Sequence, residues 1–308
     1  MKIFVTGGTG VVGRPTVAGL LARGHEVRAA ARSEQAVTSL RAAGAEPVDV
    51  DLFDPHSVRD AVVGADVVAH LATNVPPFPA MLKPEAWAMH NRLRTDATRN
   101  LVDAARVAGV PRFVKESITI VYDAGGPEWL DERSPVAAAG LMTPALEGEK
   151  IALELADVAT VAVLRFGLFY GGVGNRGTDE ALRLARWHLS MVAGKSWAFT
   201  TAVHADDAAS GVVSSLGVPT GIYNVCDDEP LTRGRAIDAF AKAFGTGRLF
   251  RTPNWMMRLA GGAPGSALTA SQRVSNRKLT ALTGWTPTYR SQVEGWQAEA
   301  RMREATRA

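Results

Sequence analysis

Apolar and polar positions alternate between two periods along the first half of the chain. Met1–Val5 is a short apolar run rich in β-formers, and it reads as a buried first strand. Val11, Val12, Val17, Leu20 and Leu21 then recur at helical spacing, and Gly24 closes the segment as a C-cap glycine does. The same exchange repeats. Strands are predicted at His25–Ala31, Glu46–Val50, Asp66–Ala72, Arg112–Ile118 and Thr160–Phe166. Helices are predicted at Glu34–Ala42, Ser57–Val63, Glu85–Ala108 and Pro144–Leu155. The longest carries a stripe of Leu93, Ala97, Leu101, Ala104 and Ala108, and is stopped by Gly109 and Pro111. Strand and helix in strict turn predict an α/β protein with a parallel sheet covered on both faces.

Between the first strand and first helix lie Thr6-Gly7-Gly8-Thr9-Gly10-Val11-Val12-Gly13. Gly7 and Gly10 lack a Cβ, so the backbone can turn tightly and approach a pyrophosphate, and Gly13 lets the helix pack close to the strand. The helix N-terminus offers free N–H groups to the phosphates. This is the Rossmann, doubly wound arrangement with a dinucleotide cofactor. The second strand ends at Ala31, where an NAD site commonly places an acid, and Arg32 follows. An arginine can pair with a 2′-phosphate, so NADP(H) is expected ahead of NAD(H); the other reading of Arg32 is a solvated loop residue.

Beyond Phe166 the alternation weakens. Helical patterns at Asp179–Val192 and Gly234–Phe244, and the stretch Asn254–Leu259 with its Trp and Met residues, predict a smaller, mostly helical C-terminal substrate region. The expected organisation is an NADP-binding Rossmann domain over 1–166 and a substrate-binding region over 167–308, with segments about 204–226 returning to the Rossmann sheet. The loop Asn74–Pro79 after the fourth strand is a candidate pocket wall, or else a rigid surface crossing.

Composition narrows the partners. The formal net charge is +3 with no dense Lys/Arg block, so nucleic acid is not expected. No apolar run approaches the length of a membrane span and the start of the chain has no secretory pattern, so a cytoplasmic protein is expected. The single cysteine, Cys226, excludes an internal disulfide and reads as a small buried residue. No His/Cys/Asp cluster has metal-ligand spacing; His188 and His204 read as structural, and Asp206-Asp207 as a helix-capping pair.

Taken together, these segments resemble the extended short-chain dehydrogenase/reductase family, which includes sugar-nucleotide epimerases and dehydratases. Thr6–Gly13 matches the family's glycine motif, Asp51-Leu52 the pair that contacts the adenine, and His70-Leu71-Ala72 the strand end beneath the cofactor. Thr98-Arg99-Asn100-Leu101 matches the long helix, with Arg94 where the family usually has asparagine. Leu164–Gly171, His204–Asp207, Gly221–Val225 and Ser275–Leu279 running to Gly284-Trp285 complete the series. The resemblance implies cofactor contacts at Gly7, Thr9, Gly10, Val11, Val12, Gly13, Asp51, Leu52, Leu71, Ala72, Thr73, Lys150, Phe166 and Leu168, beside Arg32. By analogy it also suggests a homodimer through the two long helices.

The family's chemistry carries over only in part. It uses a tyrosine to move a proton, a lysine four residues later to hold the nicotinamide ribose, and a serine or threonine near the end of the fifth strand. Lys150 fits the lysine, but four residues earlier stands Leu146, which transfers no proton. The serine/threonine position falls on Ile118, flanked by Ser117 and Thr119. Other candidates for proton transfer are Glu116, ionisable inside an apolar strand; Tyr122 at the strand exit; and Tyr170 after the sixth strand. Each has a structural alternative: Glu116 satisfied by Lys150 or a backbone amide, and the tyrosines as packing residues. Trp129, in the loop Gly125–Glu132, reads as an aromatic substrate wall or an anchor of its own loop.

The function expected first is an NADP(H)-binding oxidoreductase acting on a carbonyl or hydroxyl of a small molecule, with Lys150, Glu116, Ser117, Thr119 and Tyr122 as catalytic candidates. The alternatives are a non-redox isomerase, epimerase, lyase or cyclase working through Glu116, and a non-catalytic NADP sensor.

Overall fold

The first strand, β1 (Lys2–Thr6), runs into the glycine turn and then into α1 (Gly13–Ala22), as the pattern predicts. These elements belong to a computed structural model that describes residues 1–77, 80, 83–136, 140–251 and 269–306. Residues 78 and 79 of the loop after the fourth strand, and the stretch Asn254–Leu259, lie outside the described residues. The chain divides into two units. The first comprises Met1–Ser117, Thr143–Arg165 and Ala209–Tyr223, and the second Ile118–Met142, Phe166–Ala208 and Asn224–Ala308.

In the first unit the exchange of strand and helix continues through β2 (Glu26–Ala31), α2 (Glu34–Ala43), β3 (Glu46–Asp49), α3 (Pro55–Val62) and β4 (Val67–His70). Next come α4 (Ala88–Arg94), α5 (Asp96–Ala108), β5 (Arg112–Ile118), α6 (Thr143–Leu153) and β7 (Thr160–Phe166). The short β6 (Trp129–Leu130) falls between β5 and α6 in sequence. With β12 (Gly221–Val225) these strands form a seven-stranded sheet in the order β12-β7-β5-β4-β1-β2-β3. Strand order reverses at β1, the switch point where such sheets bind ligands. The strands β1, β2, β3, β4 and β5 pair in parallel, with Thr6 opposite His70 and His70 opposite Lys115. The core unites Phe4, Val68, Phe113 and Val163 of the sheet with Leu101, Val102 and Leu155 of the helical layer.

The helix expected over Glu85–Ala108 is not continuous. A 3₁₀ turn, Pro84–Trp87, precedes α4, and the helix is interrupted at Thr95 before α5 begins. Two hydroxyls explain the break: Thr95 Oγ1 donates to Asn91 O at 3.1 Å and Thr98 Oγ1 to Arg94 O at 2.7 Å. Such back-bonding to the preceding turn bends helices.

Among the described residues the second unit holds short paired strands and four α-helices, besides the start of a fifth. β8 (Leu168–Tyr170) pairs with β11 (Ala202–His204), β9 (Leu189–Ser190) with β14 (Phe250–Arg251), β10 (Phe199–Thr200) with β13 (Leu231–Thr232), and β6 with β15 (Arg273–Val274). α7 (Arg176–Ala185) is shorter than the predicted Asp179–Val192, because β9 begins at Leu189. α8 (Ala205–Ser214) carries the chain from this unit back to the first. α9 (Arg233–Phe244), α10 (Arg277–Thr283) and α11 (Gln292–Ala305) follow. Tyr170, Ile237, Phe240, Leu249 and Trp296 form this unit's core. Cys226 is fully buried, as expected. No helix of the described residues is long and apolar enough to cross a membrane.

Candidate functional site: a glycine cradle and a buried ionic cluster

The glycines after β1 do three different jobs. Gly7 has φ +76°, and a Cβ there would come within 2.8 Å of the Leu71–Ala72 backbone. That contact sets the end of β4 against the turn. At Gly13 a Cβ would collide with the carbonyl of Gly7, so this glycine lets α1 pack onto the turn. Gly10 is exposed, and a Cβ would meet only Gly7 O, at 3.1 Å. Gly10 N donates to Gly7 O at 2.9 Å, while the amides of Val11 and Val12 have no acceptor among the described residues. An open glycine beside unpaired amides at a helix N-terminus fits a pyrophosphate.

β2 and β4, which lead into Arg32 and Leu71–Thr73, flank β1 in the sheet. Leu71 is buried, Ala72 half-buried and Thr73 exposed at the end of β4. Arg32 is exposed after β2 and has no hydrogen bond or ion pair among the described residues. Asp51 turns its carboxylate to its own loop, Oδ1 accepting from Phe53 N at 2.9 Å. Leu52 is in the core, and its carbonyl accepts from Asn100 Nδ2 at 2.9 Å. Lys150 is exposed on α6 with no hydrogen-bond partner among the described residues. Leu146 is half-buried one turn earlier.

Below the ends of β4 and β5 lies an ionic cluster. Arg94, at the end of α4, donates from Nη2 to Glu116 Oε1 at 3.0 Å and from Nε to His90 Nε2 at 2.8 Å. The side chains of Arg94 and Glu116 are only 3% and 7% exposed. Glu116 therefore finds Arg94, a partner other than the Lys150 or backbone amide considered from sequence. Burial first, then the charges of Arg94 and Lys115, push His90 down to about 3, so its neutral Nε2 accepts from Arg94. Glu116 Oε2 and Arg94 Nη1 are buried without a hydrogen-bond partner among the described residues.

Lys115 is also buried, its Nζ donating to Glu116 O at 2.6 Å. Burial pushes it down to about 8, with Glu116 opposing the shift. His70 donates from Nε2 to the carbonyl of Leu93 at 3.0 Å, which leaves Nδ1 to accept from Thr6 Oγ1 at 2.7 Å. Burial, followed by the Lys115 charge, holds this imidazole well below its usual range.

Ser117 does not stand free. Its Oγ donates to Glu149 Oε1, and Glu149 is clamped by Arg165 through Nε at 2.9 Å and Nη2 at 2.6 Å. β5 thus alternates its attachments: Ser117 is tied to α6, and Glu116 to α4. Gly148 makes this possible, because a Cβ there would collide with Arg94 O. His90, Glu149 and Arg165 were not among the sequence candidates. Arg165 carried a signal comparable to that of Glu116, a charge inside an otherwise apolar strand.

The second unit places the remaining candidates. Thr119 is buried in a 3₁₀ turn after β5, and Tyr122 Oη donates to Asn224 Oδ1 at 2.8 Å. Tyr170 Oη donates to Asp227 Oδ2 at 3.1 Å within the core. Burial, then the Asp227 charge, pushes the phenol well above its usual range. Phe166 is buried, and Leu168 is exposed on β8. Asp207 accepts from Thr288 N at 2.7 Å and Tyr289 N at 3.0 Å, so it holds a distant loop in addition to lying in the first turn of α8. Among the described residues no group of three His, Cys, Asp or Glu could hold a metal ion.

Comparison with known proteins agrees with this geometry. A family model described as NAD(P)H-binding matches residues 7–160. The chain is 34% identical, over 96% of its own length and 99% of the relative's, to a 3-diazoavenalumate denitrifying reductase of a Streptomyces species. It is 28% identical, over 81% of its length and 77% of the relative's, to a 2-alkyl-3-oxoalkanoate reductase of Stenotrophomonas maltophilia. Among solved structures, a human epimerase family protein with NADPH superposes with a TM-score of 0.79 at 22% identity, covering 98% of this chain and 99% of that one. A UDP-glucose 4-epimerase of Thermus thermophilus complexed with NAD gives 0.75 at 24% identity, with 98% coverage of both chains.

Proposed function

Because this chain belongs to the NAD(P)H-binding family, within the extended short-chain dehydrogenase/reductases, we propose that it is an NADP(H)-dependent reductase of a small organic molecule that works without the family's tyrosine. The observation that carries this reading is the likeness to a reductase across 96% of the chain at 34% identity. When bound, the reduced nicotinamide supplies a hydride.

The chain's own residues divide the remaining tasks. Gly10 and the amides of Val11 and Val12 receive the pyrophosphate. Arg32 receives the 2′-phosphate, which distinguishes NADP(H) from NAD(H). Lys150 holds the nicotinamide ribose from α6. Leu146 offers no proton, and this suits an acceptor that needs none on an oxygen, such as a diazo group of the kind named for the Streptomyces relative. Where the acceptor is a carbonyl, the proton comes from Glu116, whose Oε2 has no hydrogen-bond partner among the described residues and lies 3.9 Å from Lys115 Nζ, or from water.

The reading is tested by following NADPH absorbance with a panel of aldehydes, ketones, enones and arenediazonium salts. Consumption of NADPH with at least one acceptor is expected. E116Q is expected to slow a carbonyl acceptor by about 100-fold or more, the scale of lost general-acid assistance, and to leave a diazonium acceptor unchanged. Stability of NADPH against the whole panel would contradict the proposal.

A further inference from the structure

We propose that Arg273 anchors the carboxylate of a flat, conjugated organic acid, in a subsite built by Trp129 and Phe199 within the second unit. The proposal rests on the reductase reading for the chemistry that follows binding, and it supplies that reading with a substrate class.

The strand that carries Arg273 is fixed on every side. In β15 Arg273 lies opposite Trp129 of β6. Ser271 Oγ accepts from Phe199 N at 3.1 Å, and Gln272 Nε2 donates to Ile120 O at 3.2 Å and also to Tyr122 O. Val274 N donates to Thr201 Oγ1 at 3.1 Å, and Ser275 N to Leu130 O at 2.9 Å. Within this tied strand the guanidinium of Arg273 lies 4.1 Å from the centroid of the Trp129 ring and 5.0 Å from that of Phe199. Arginine commonly takes such positions to complete an ion pair, yet Arg273 makes no salt bridge among the described residues, and its buried Nε has no hydrogen-bond partner.

Two rings that hold a guanidinium plane leave its edge as the reactive surface. That edge carries N–H donors in a fork matching a carboxylate. The rings also remove rotamer freedom before a ligand arrives, so less entropy is lost on binding. A second cation stands nearby, with the Arg277 guanidinium 5.9 Å from the Trp129 centroid. No carboxylate of the described residues neutralises Arg273, so the subsite favours an anion. Trp129 remains 43% exposed although it is held in a strand. Its exposed indole surface suits a flat, apolar carbon skeleton. A planar acid uses both features, whereas phosphate or an aliphatic acid uses only the charge.

The test uses trans-cinnamate, methyl cinnamate, hexanoate and inorganic phosphate as probes, titrated into the full chain and followed by calorimetry or ligand-observed NMR. Cinnamate is expected to bind at least about tenfold tighter than each of the others, a difference of about 1.4 kcal/mol. R273M is expected to weaken cinnamate by about tenfold or more and to leave methyl cinnamate unchanged, while R273K, which keeps charge without the plane, restores only part of the loss. W129L is expected to erase the preference for cinnamate over hexanoate. Equal binding of cinnamate to R273M and to the unaltered protein, or no preference for the acid over its ester, overturns the proposal; the ester comparison needs no variant to fold. NADPH titrated into the same samples separates the two readings. Loss of NADPH binding with the cinnamate pattern intact would sink the reductase and keep the anchor. Normal NADPH binding without the cinnamate pattern would sink the anchor alone.

Discussion

Arg32 leaves β2 with its guanidinium in solvent and no carboxylate beside it among the described residues. A free guanidinium where an NAD site commonly keeps an acid suits a 2′-phosphate, and a hydrogen bond to a charged group contributes about 1.5–3 kcal/mol. R32A is therefore expected to weaken NADPH by about 10- to 100-fold and NADH by less than about threefold, as read from calorimetric dissociation constants. Equal loss for both cofactors would mean that Arg32 does not read the phosphate. Glu116 shows the opposite situation, a side chain whose partner is already present. Its bond to Arg94 joins residues far apart in sequence, and it depends on where α4 ends. An acid inside an apolar strand is visible from sequence as an anomaly. The identity of its partner is not, since that requires knowing that the helix is interrupted at Thr95.

At the scale of elements, α6 lies close against the α4–α5 junction, where Gly148 faces the carbonyl of Arg94. G148A sets two effects against each other. Alanine is favoured over glycine inside a helix by about 1 kcal/mol, while forcing a methyl group into a closed contact commonly costs about 1–3 kcal/mol. Backbone cannot swing aside as a flexible side chain can, so the collision prevails. A net loss of about 1–2 kcal/mol in denaturant unfolding is expected, and a stabilised G148A would show that the two helices are not held this closely. The strands of the main sheet were legible because buried parallel strands are apolar runs separated by helical patterns, as at Phe4, Val68 and Val163. The pairing of β6 with β15 was not, because two-residue strands carry no periodicity and their partners lie far apart in sequence. The subsite around Arg273 was hidden for the same reason, although Trp129 stood out as a candidate wall.

Two buried imidazoles, His90 and His70, are held uncharged, and this shapes how the molecule responds to acid. His90 is 5% exposed and held at about 3, against an ordinary value of 6.5. Below pH about 6.5 the unfolded chain takes up a proton that the folded chain refuses until about pH 3, so stability falls as pH drops across that window. His70, also shifted downward by burial, acts in the same direction. Urea midpoints measured from neutral to acidic pH are expected to fall, and H90Q, whose amide oxygen can still accept from Arg94 Nε, is expected to flatten the decline. An unchanged slope in H90Q would show that His90 is not the group responsible. The glycine turn and its setting between strand and helix were readable along the chain, because each depends on neighbours in sequence. The ties of Ser117 to Glu149 and of Glu149 to Arg165 depend on three elements meeting, and only the fold displays them.

Hydride delivery from NADPH by a protein with leucine at position 146 is the central claim. It is tested most directly by incubating the intact protein with NADPH deuterated at the transferable position and the acceptor panel, then weighing the products. One deuterium in the product of at least one acceptor is the expected result. Products without the label, or acceptors returned unchanged with the cofactor unconsumed, would contradict it.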